Sequence, residues 1–291
     1  TTRSSISPSS SSAVASSMGA PRLNRLSAHG VTFLGDAGRP SGVAFAFTER
    51  TGGVSGGPWS SLNLGAFCGD DPGHVRENRR RALYALGAAG LLGRLISPRQ
   101  VHGDHVVVVS SATDAAVSLA QAEAEAGADA IVCCARGVPV LLCFADCVPV
   151  VLVSQGGFAV VHSGWRGTLA EVSATAARVL AEVSGSGFEG ICAYLGPHIG
   201  AEDYEVSEEL LGRFVEKFGD VVCAGERRLN LGAAIAASLE RVGLARQNVL
   251  GCTASTTRCP KRFFSYRAQG GTCGRHGALA VRGPWEEDEA A

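Results

Sequence analysis

Two short apolar runs around a turn stand out in the middle of the chain. The first run covers residues 138–146 and is followed by Cys147, and the second, Phe158–Val161, is closed by His162. Ser154–Gly157 lies between them and contains two adjacent glycines, which is typical of a turn. The pattern predicts adjacent β-strands, so Cys147 and His162 are expected to be neighbours in space.

The rest of the chain alternates between strand-like and helix-like segments. Further strands are predicted over Val43–Thr48, Asp129–Cys134, Val138–Phe144, Gly190–Leu195 and Val249–Thr253. Leu95–Val109 begins with a strand-like segment and continues as one over Val106–Val109. Helices are predicted over Val75–Leu86, Leu169–Val183, Glu205–Phe218 and Ala233–Val242, while Asp114–Ala128 fits a helix or a loop. Alternating elements with hairpin-like neighbours predict an α/β fold with mixed sheets.

The two ends of the chain differ in composition from the middle. Residues 1–24 are rich in serine and free of acidic residues, which fits either an organelle transit peptide or a disordered tail. Residues 284–291 form an acidic C-terminal tail. One folded domain is therefore predicted over residues 25–283. We expect a cytoplasmic protein, or a plastid or mitochondrial one if the leader is a transit peptide.

Composition narrows the class of protein. Apolar residues make up 46% of the 291 residues and charged residues 18%, so a sizeable core can be buried. The net charge of −1 gives no electrostatic reason to expect nucleic acid or a membrane surface as a partner. No apolar run reaches the roughly 18 residues that a membrane span requires. The ten cysteines include no Cys-x-x-Cys pair and several lie in apolar runs, which favours free thiols in a reducing compartment.

Three residues have the side chains that a catalytic zinc ion prefers. His102, Cys147 and His162 offer two imidazoles and a thiolate, and a catalytic zinc site keeps a fourth position open. His105 shares a loop with His102 and could replace it. Hydrogen-bonded structural histidines and a buried thiol would give the same spacing, so spacing alone leaves the metal open.

A nucleophilic site is an alternative for the same residues. Cys147 could be a thiolate activated by His162, with Ser163 or Asp146 orienting the imidazole. A multicopper oxidase fits poorly, since its copper cluster needs several more histidines. The chain has seven histidines and no His-x-His pair.

Three arginines suggest an anion site. Arg166, Arg267 and Arg275 each follow a small or aromatic residue at a predicted strand end or turn, and guanidinium groups match phosphate geometry. The aromatic residues that could stack on a flat base are Trp165, Phe264 and Tyr266. Asn63, after the glycine-rich loop Thr51–Pro58, is a further candidate substrate contact.

Five motifs together identify a family. They are Gln100-Val101-His102-Gly103, Ala145-Asp146-Cys147-Val148-Pro149, Val161-His162-Ser163-Gly164-Trp165-Arg166-Gly167-Thr168, Leu195-Gly196-Pro197-His198-Ile199 with Tyr204-Glu205-Val206, and Phe263-Phe264-Ser265-Tyr266-Arg267 with Gly274-Arg275. The chain closely resembles the YfiH, or laccase-domain, family over about residues 43–282. Ser163 and Cys273 depart from the usual pattern, in which alanine and threonine stand at these positions.

The resemblance implies a fold and an activity. The fold is a single-domain, layered α/β/β/α structure with mixed sheets, similar to the catalytic domain of cytotoxic necrotizing factor toxins. Zinc is implied at His102, Cys147 and His162, with Cys147, His162 and Asp146 as catalytic residues. The implied substrates are phosphate and adenosine, inosine, guanosine or methylthioadenosine, with adenosine deamination as a further activity. A monomer or weak homo-oligomer is expected, and a larger assembly is compatible with the sequence.

Two other activities are associated with the resemblance. The older family label is polyphenol oxidase, against which the histidine count argues. Some bacterial members are implicated in editing peptidoglycan precursors, which would suit a cysteine-centred amidohydrolase.

Overall fold

Residues 20–283 are described by the computed structural model, and they form two β-sheets with helices on their outer faces. The strands are β1 (Asn24–Ala28), β2 (Val31–Gly35), β3 (Val43–Thr48), β4 (Val106–Val109), β5 (Ala130–Cys133), β6 (Val140–Phe144), β7 (Val148–Val153), β8 (Phe158–Ser163), β9 (Cys192–Leu195), β10 (Val249–Gly251) and β11 (His276–Arg282). The helices are α1 (Pro72–Ala85), α2 (Asp114–Ala126), α3 (Trp165–Leu169), α4 (Val172–Ser184), α5 (Glu208–Phe218) and α6 (Leu231–Arg241).

The two sheets differ in strand direction. The five-stranded sheet has the order β1-β2-β3-β11-β6 and is antiparallel throughout. The six-stranded sheet has the order β10-β9-β7-β8-β5-β4, with a parallel pair at each edge. The expectation of mixed sheets therefore holds for the six-stranded sheet and is wrong for the other, whose neighbouring strands all run in opposite directions.

The layers follow from which side of each strand is apolar. Phe45 and Phe144 of the five-stranded sheet pack against Val151 and Phe158 of the six-stranded sheet and fill the space between the sheets. The outer face of the five-stranded sheet packs against α1. The other sheet's outer face packs against α4, α5 and α6. The described residues thus form one α/β domain with the layer order α/β/β/α.

The strand pairing of the central hairpin differs from the sequence prediction. The run over residues 138–146 forms β6 in the five-stranded sheet, whereas β8, which contains the run Phe158–Val161, pairs with β7 in the other sheet. β7 and β8 are antiparallel neighbours, with Pro149 opposite His162. The turn between them is closed by a hydrogen bond of 2.9 Å from the Ser154 amide to the Gly157 carbonyl. Cys147 directly precedes β7, so the predicted proximity of Cys147 and His162 is confirmed.

Several elements differ from the sequence prediction. No strand begins at Leu95, where Ile96 makes a single bridge to Val140. The segment from Asp114 is a helix, capped by the Thr113 side chain. β1, β2, β7 and β11 have no predicted counterpart. β11 lies in the middle of its sheet and is buried on both faces, which removes the alternation that marks a half-exposed strand.

The first strand begins close to the predicted start of the folded domain. β1 begins at Asn24, one residue before the predicted start of the domain. The predicted serine-rich leader lies outside the described residues except for 20–24, and the acidic tail lies outside them entirely. All ten cysteines are free, as expected. Within residues 20–283, every helix is too short or too polar to cross a membrane.

Candidate metal centre

His102, Cys147 and His162 come together at one end of the central hairpin. One ligand atom from each lies within 4.8 Å of the others. The Cys147 Sγ atom is 4.0 Å from His102 Nε2, and the centroids of the two imidazole rings are 4.8 Å apart. His162 is buried, whereas His102 is exposed, so the cluster has a closed side and an open side. Imidazole, thiolate and imidazole form a donor set typical of a catalytic zinc site.

Two tight backbone positions bring the first two residues to the cluster. His102 has a φ of 61° and Asp146, next to Cys147, has a φ of 92°. The Asp146 side chain fixes its turn by accepting hydrogen bonds from Thr256 Oγ1 at 2.6 Å and the Arg267 amide at 2.7 Å. Since both oxygens of Asp146 are engaged, its carboxylate positions the segment that carries Arg267.

Gly164 allows the three residues to approach one another. A Cβ atom at this position would lie 3.1 Å from the Cys147 Sγ atom and 3.1 Å from a ring carbon of His102. Those distances are below normal van der Waals contact, so a larger residue would press on two of the three candidate ligands. Glycine is therefore favoured here by space rather than by backbone conformation, because a Cβ atom would force these neighbours to shift by a few tenths of an ångström.

Asp129 lies behind the cluster and contacts both histidines. Its buried carboxylate accepts a 2.7 Å hydrogen bond from His162 Nδ1 and a 3.0 Å hydrogen bond from the His102 amide. The amides of Val101 and Gly103 donate to its other oxygen at 3.1 and 2.7 Å. A carboxylate on the second nitrogen of a ligating histidine is a common feature of metal sites.

The electrostatics favour a charged thiolate–imidazolium pair in the absence of metal. Burial alone would raise the pKa of the Cys147 thiol, but the nearby imidazoles of His162 and His102 outweigh it and lower the pKa. Burial would likewise lower the pKa of His162, but Cys147 and Asp129 outweigh it and raise the pKa. Burial would raise the pKa of Asp129, but the contact with His162 and the hydrogen bonds from backbone amides outweigh burial and lower the pKa.

The cluster opens into a cavity of about 550 Å³. Three arginines line this cavity, namely Arg79, Arg267 and Arg275, whereas Asp146 is the carboxylate among its lining residues. Tyr204, Tyr266 and the exposed Phe67 contribute aromatic surface. The cavity therefore combines a group of soft ligands, an excess of positive charge and flat apolar surface.

The predicted substrate contacts separate into two groups. Arg267 and Arg275 line the cavity, together with Tyr266. Trp165 and Arg166 are not among its lining residues, and the exposed Arg166 guanidinium lies over the Trp165 ring at 4.9 Å. Substrate contact by these two residues therefore stays a prediction without support from the cavity.

Asn63 and Phe264 have structural positions. Asn63 is fully buried, and its side chain accepts from the Arg275 amide at 2.8 Å and donates to Asp70 at 2.8 Å. It therefore holds the backbone of Arg275. Phe264 is also fully buried, beneath the guanidinium of Arg50.

His105 and Ser163 have partners outside the cluster. His105 is exposed and its Nε2 atom lies 3.0 Å from Glu123, so it does not replace His102. The Ser163 hydroxyl pairs with Thr168 Oγ1 at 2.9 Å. The residue that orients His162 is thus Asp129, and the prediction of Ser163 or Asp146 in that position is wrong.

Sequence reasoning missed two residues of the site, Asp129 and Arg79. Asp129 is an acidic residue directly before the apolar run of β5, and an isolated acid at such a place is the signal that could have identified it. Arg79 lies among three consecutive arginines of α1, and only the helix direction distinguishes it from Arg80 and Arg81.

The positions of the histidines argue against the older family label of polyphenol oxidase, a multicopper enzyme. Among residues 20–283, His102, Cys147 and His162 are the one group of three or more potential ligands close enough to share a metal. Those residues include all seven histidines of the chain. A second, multinuclear copper cluster therefore has no set of ligands in the described part of the chain.

Fold and site together define a class. The described residues form an α/β/β/α domain in which a His-Cys-His group that could hold a metal ion lines a cavity together with three arginines. The model of a family described as "Multi-copper polyphenol oxidoreductase laccase" matches residues 44–283. The chain belongs to this family, which includes proteins named YfiH.

Relatives and solved structures agree with this assignment. A purine nucleoside phosphorylase YfiH of Shigella flexneri is 35% identical over 233 residues, covering 78% of this chain and 89% of the relative. An adenosine deaminase RL5 from an unknown prokaryotic organism is 33% identical over 241 residues, covering 79% and 90%. The crystal structure of YlmD from Geobacillus stearothermophilus superimposes with a TM-score of 0.79 at 27% identity and covers 91% of this chain and all of that one.

Proposed function

We propose that this chain is a zinc-dependent purine nucleoside phosphorylase acting on adenosine, inosine, guanosine and methylthioadenosine, with adenosine deaminase activity at the same site. The observation that carries the proposal is that the His102–Cys147–His162 group and three arginines line one and the same cavity. The names of the relatives support the choice of reaction.

The donor set fits zinc. Two imidazoles and one thiolate are ligands that zinc binds in catalytic sites with three protein ligands. His162 has the carboxylate partner that such ligands usually have. Bound by these residues, zinc supplies Lewis acidity at neutral pH. The remaining chemistry belongs to the chain's own side chains.

The arginines bind phosphate in this proposal. Arg275 donates hydrogen bonds from Nη1 to the carbonyl oxygens of Cys273 and Gly274 at 2.7 and 3.0 Å. Its Nε and Nη2 atoms make no hydrogen bond within residues 20–283. Arg79 is held by Leu64 and Ser97 through Nε and Nη2. The guanidinium groups are thereby fixed while donors remain for a phosphate oxyanion.

In phosphorolysis, a phosphate oxygen forms a bond to the anomeric carbon of the ribose as the bond to the purine nitrogen breaks. The arginines orient phosphate for this attack, and the departing base takes up a proton. Asp146 and His105 are the two candidates for the group that supplies this proton. Asp146 lines the cavity and each of its oxygens accepts one hydrogen bond, whereas His105 is not among the lining residues and lies 3.0 Å from Glu123. Burial and the nearby Cys147 raise the pKa of Tyr204 to about 12, so its phenol stays protonated and can donate a hydrogen bond.

Deamination uses water in place of phosphate. Water adds to the amino-bearing carbon of the adenine ring and ammonia leaves. The exposed Phe67 and Tyr266 at the cavity offer faces on which the purine can stack. Nucleoside and phosphate are the partners this requires, and a monomer or weak homo-oligomer remains the expected state.

The test is incubation of the purified protein with adenosine and phosphate, followed by chromatography for adenine, ribose 1-phosphate and inosine. We expect adenine and ribose 1-phosphate to appear together and only when phosphate is present. Cys147→Ser should abolish both activities, whereas the matched control Cys223→Ser, at an exposed cysteine, should retain them. Unchanged adenosine with zinc bound at one ion per chain would overturn the proposal.

A cysteine-centred amidohydrolase acting on peptidoglycan precursors is the second candidate. The observation that favours it is the series Cys147, His162 and Asp129, in which the carboxylate is 2.7 Å from His162 Nδ1 and the thiol pKa is lowered. The expected likeness to the cytotoxic necrotizing factor catalytic domain belongs with this alternative. Mass spectrometry decides between the two, since an acyl group trapped on Cys147 supports the amidohydrolase.

A further inference from the structure

The carboxylate of Asp129 is saturated with hydrogen-bond donors. It lies directly before β5 and is completely buried. Oδ1 accepts from His162 Nδ1 at 2.7 Å and the His102 amide at 3.0 Å. Oδ2 accepts from the Val101 amide at 3.1 Å and the Gly103 amide at 2.7 Å. Two oxygens with two lone pairs each offer four acceptor sites, and all four are used.

These four bonds join His162 to the loop that carries His102. They act together with main-chain hydrogen bonds of 3.2 Å from Ala128 to Arg99 and from Asp129 to His105, which hold the two ends of that loop. His162 belongs to β8, whose register with β5 places it beside Asp129, and the two residues are also linked by a main-chain hydrogen bond of 2.7 Å. His102 belongs to a loop with a left-handed residue, and three successive amides of that loop point at the carboxylate. One side chain therefore contacts both the His162 imidazole and the tip of the loop that carries His102.

The bond to Nδ1 also determines which nitrogen of His162 is available. A carboxylate can only accept, so Nδ1 carries the proton and Nε2 is the atom directed to Cys147. Nδ1 therefore keeps its proton whether His162 is an imidazolium or a neutral ring, and Nε2 is the nitrogen that loses its proton when a metal binds.

We propose that Asp129 is the positioning residue of the site, holding His162 and the His102 loop in the arrangement that binds the metal. This rests on the proposed function only in that a metal binds the cluster, and it is independent of the reaction catalysed. The role requires a carboxylate, because an amide has one acceptor oxygen. In an asparagine at this position the NH₂ group would face two N–H donors in either orientation.

The test compares Asp129→Asn with a matched control, Glu49→Gln. Glu49 is also a buried carboxylate with several donors, from Arg25 and Arg262, but it is not among the residues lining the cavity. Both variants lose one buried charge. Zinc affinity of the metal-free proteins is measured by competition with a chromophoric chelator, and the Co²⁺-substituted proteins are compared by their visible and thiolate charge-transfer absorption.

We expect Asp129→Asn to bind zinc roughly 10- to 100-fold more weakly, because loss of such a partner usually costs that much. Its Co²⁺ spectrum should change, and Asp129→Glu should recover part of the affinity. Glu49→Gln should match the wild type in both measurements. A folded Asp129→Asn protein with wild-type zinc affinity and an unchanged Co²⁺ spectrum would overturn the proposal.

A measurement on the wild type covers the case in which Asp129→Asn does not fold. Long-range ¹H–¹⁵N correlation spectra of the metal-free protein, assigned with a His162→Ala variant, report the protonation of each imidazole nitrogen. The spectra are recorded at a pH high enough for the ring to carry a single proton, because an imidazolium is protonated on both nitrogens. A proton on Nδ1 of the neutral His162 ring supports the proposal, and an unprotonated Nδ1 overturns it. Should the wild type bind zinc yet leave nucleosides unchanged, the proposed reaction fails while the role of Asp129 is still decided by these measurements.

Discussion

Some arginines of this chain line the cavity and others lie outside it, so single substitutions should differ in their effect on phosphate binding. Arg79 lines the cavity, whereas Arg166 lies over Trp165 outside it. We expect Arg79→Met to lower kcat/KM for phosphate roughly 10- to 100-fold, since a hydrogen bond to a charged group contributes about 1.5–3 kcal/mol. Steady-state kinetics with phosphate as the varied substrate measure this.

The control for that prediction is Arg80→Met, which should leave the phosphate dependence unchanged, because Arg80 is an exposed arginine of the same helix that pairs with Glu77 and does not line the cavity. Thermal melting of both variants shows whether the loss of the Arg79–Leu64 hydrogen bond has disturbed the fold. Equal effects of the two substitutions on kcat/KM would contradict an arginine cradle formed by Arg79, Arg267 and Arg275.

The residues of the site could be predicted where a local pattern carries them. Cys147 and His162 were predicted to be neighbours because a short apolar hairpin joins them, and the structure brings His102 to the same place. Asp129 could not be predicted in this way. It meets His162 only through the register of β5 with β8, two strands separated by two others along the chain. Strand order in a sheet depends on long-range packing, which local periodicity does not contain.

At the scale of elements, the connection between β8 and α3 depends on a small residue. Gly164→Ala would place a methyl group 3.1 Å from both Cys147 Sγ and the His102 ring. We expect zinc affinity to fall because two candidate ligands must move apart, while the helices and sheets remain. Metal competition and circular dichroism measure the two effects separately.

Gly251→Ala is the matched control for this prediction, since a Cβ atom there has no neighbour within 4 Å. It lies at the end of the edge strand β10 and should leave zinc affinity unchanged. Wild-type affinity in Gly164→Ala would show that the cluster has more space than the structure indicates.

Elements with a clear period were predicted well, and those without one were missed. Val206, Leu210, Phe214 and Phe218 recur every four residues and predict the helix that the structure shows as α5, capped by Ser207. β11 has no such period, because both of its faces are covered. Gly277 packs so closely that a Cβ atom there would lie 2.6 Å from Leu141. Central buried strands of this kind become visible only when their neighbours are known.

At the scale of the whole molecule, one buried carboxylate links distant parts of the chain. Glu49 follows β3 and accepts hydrogen bonds from Arg25 of β1 and from Arg262, which precedes the Phe263–Arg267 motif. Burial would raise its pKa, but these arginines outweigh burial and lower it below 4.5. Its contribution to stability is therefore complete above that pH and is lost as the pH falls through 4.5 towards the folded-state pKa.

Glu49→Gln should reduce the free energy of unfolding by about 1–3 kcal/mol at neutral pH, nearer the lower value because Arg25 is largely exposed. The difference from wild type should begin to shrink as the pH falls through about 4.5, where the carboxylate of the unfolded chain takes up a proton, and should be lost below the lower folded-state pKa. Urea denaturation at several pH values measures it. Glu77→Gln, on the surface of α1, should change stability much less, and a pH-independent difference for Glu49→Gln would contradict the linkage.

A metal that binds only the folded state stabilises the whole domain, so zinc should raise the melting temperature. The three candidate ligands come from a loop before β4, the turn before β7 and the strand β8, so the complete cluster exists only when the sheets have formed. Zinc at 100 times its Kd should add about 2.7 kcal/mol of stability. For a domain of this size that corresponds to a rise in Tm of roughly 5–10 °C.

The neighbouring histidines of one loop provide the variants. His102→Asn removes a ligand, and asparagine tolerates the φ of 61° better than alanine would. His105→Ala removes the other histidine, which pairs with Glu123 at the surface. Each variant is compared with itself in the presence and absence of zinc, so that any change in basal stability cancels. We expect the zinc-dependent rise in Tm to persist in His105→Ala and to shrink strongly in His102→Asn; a reversed order would place the ligand at His105.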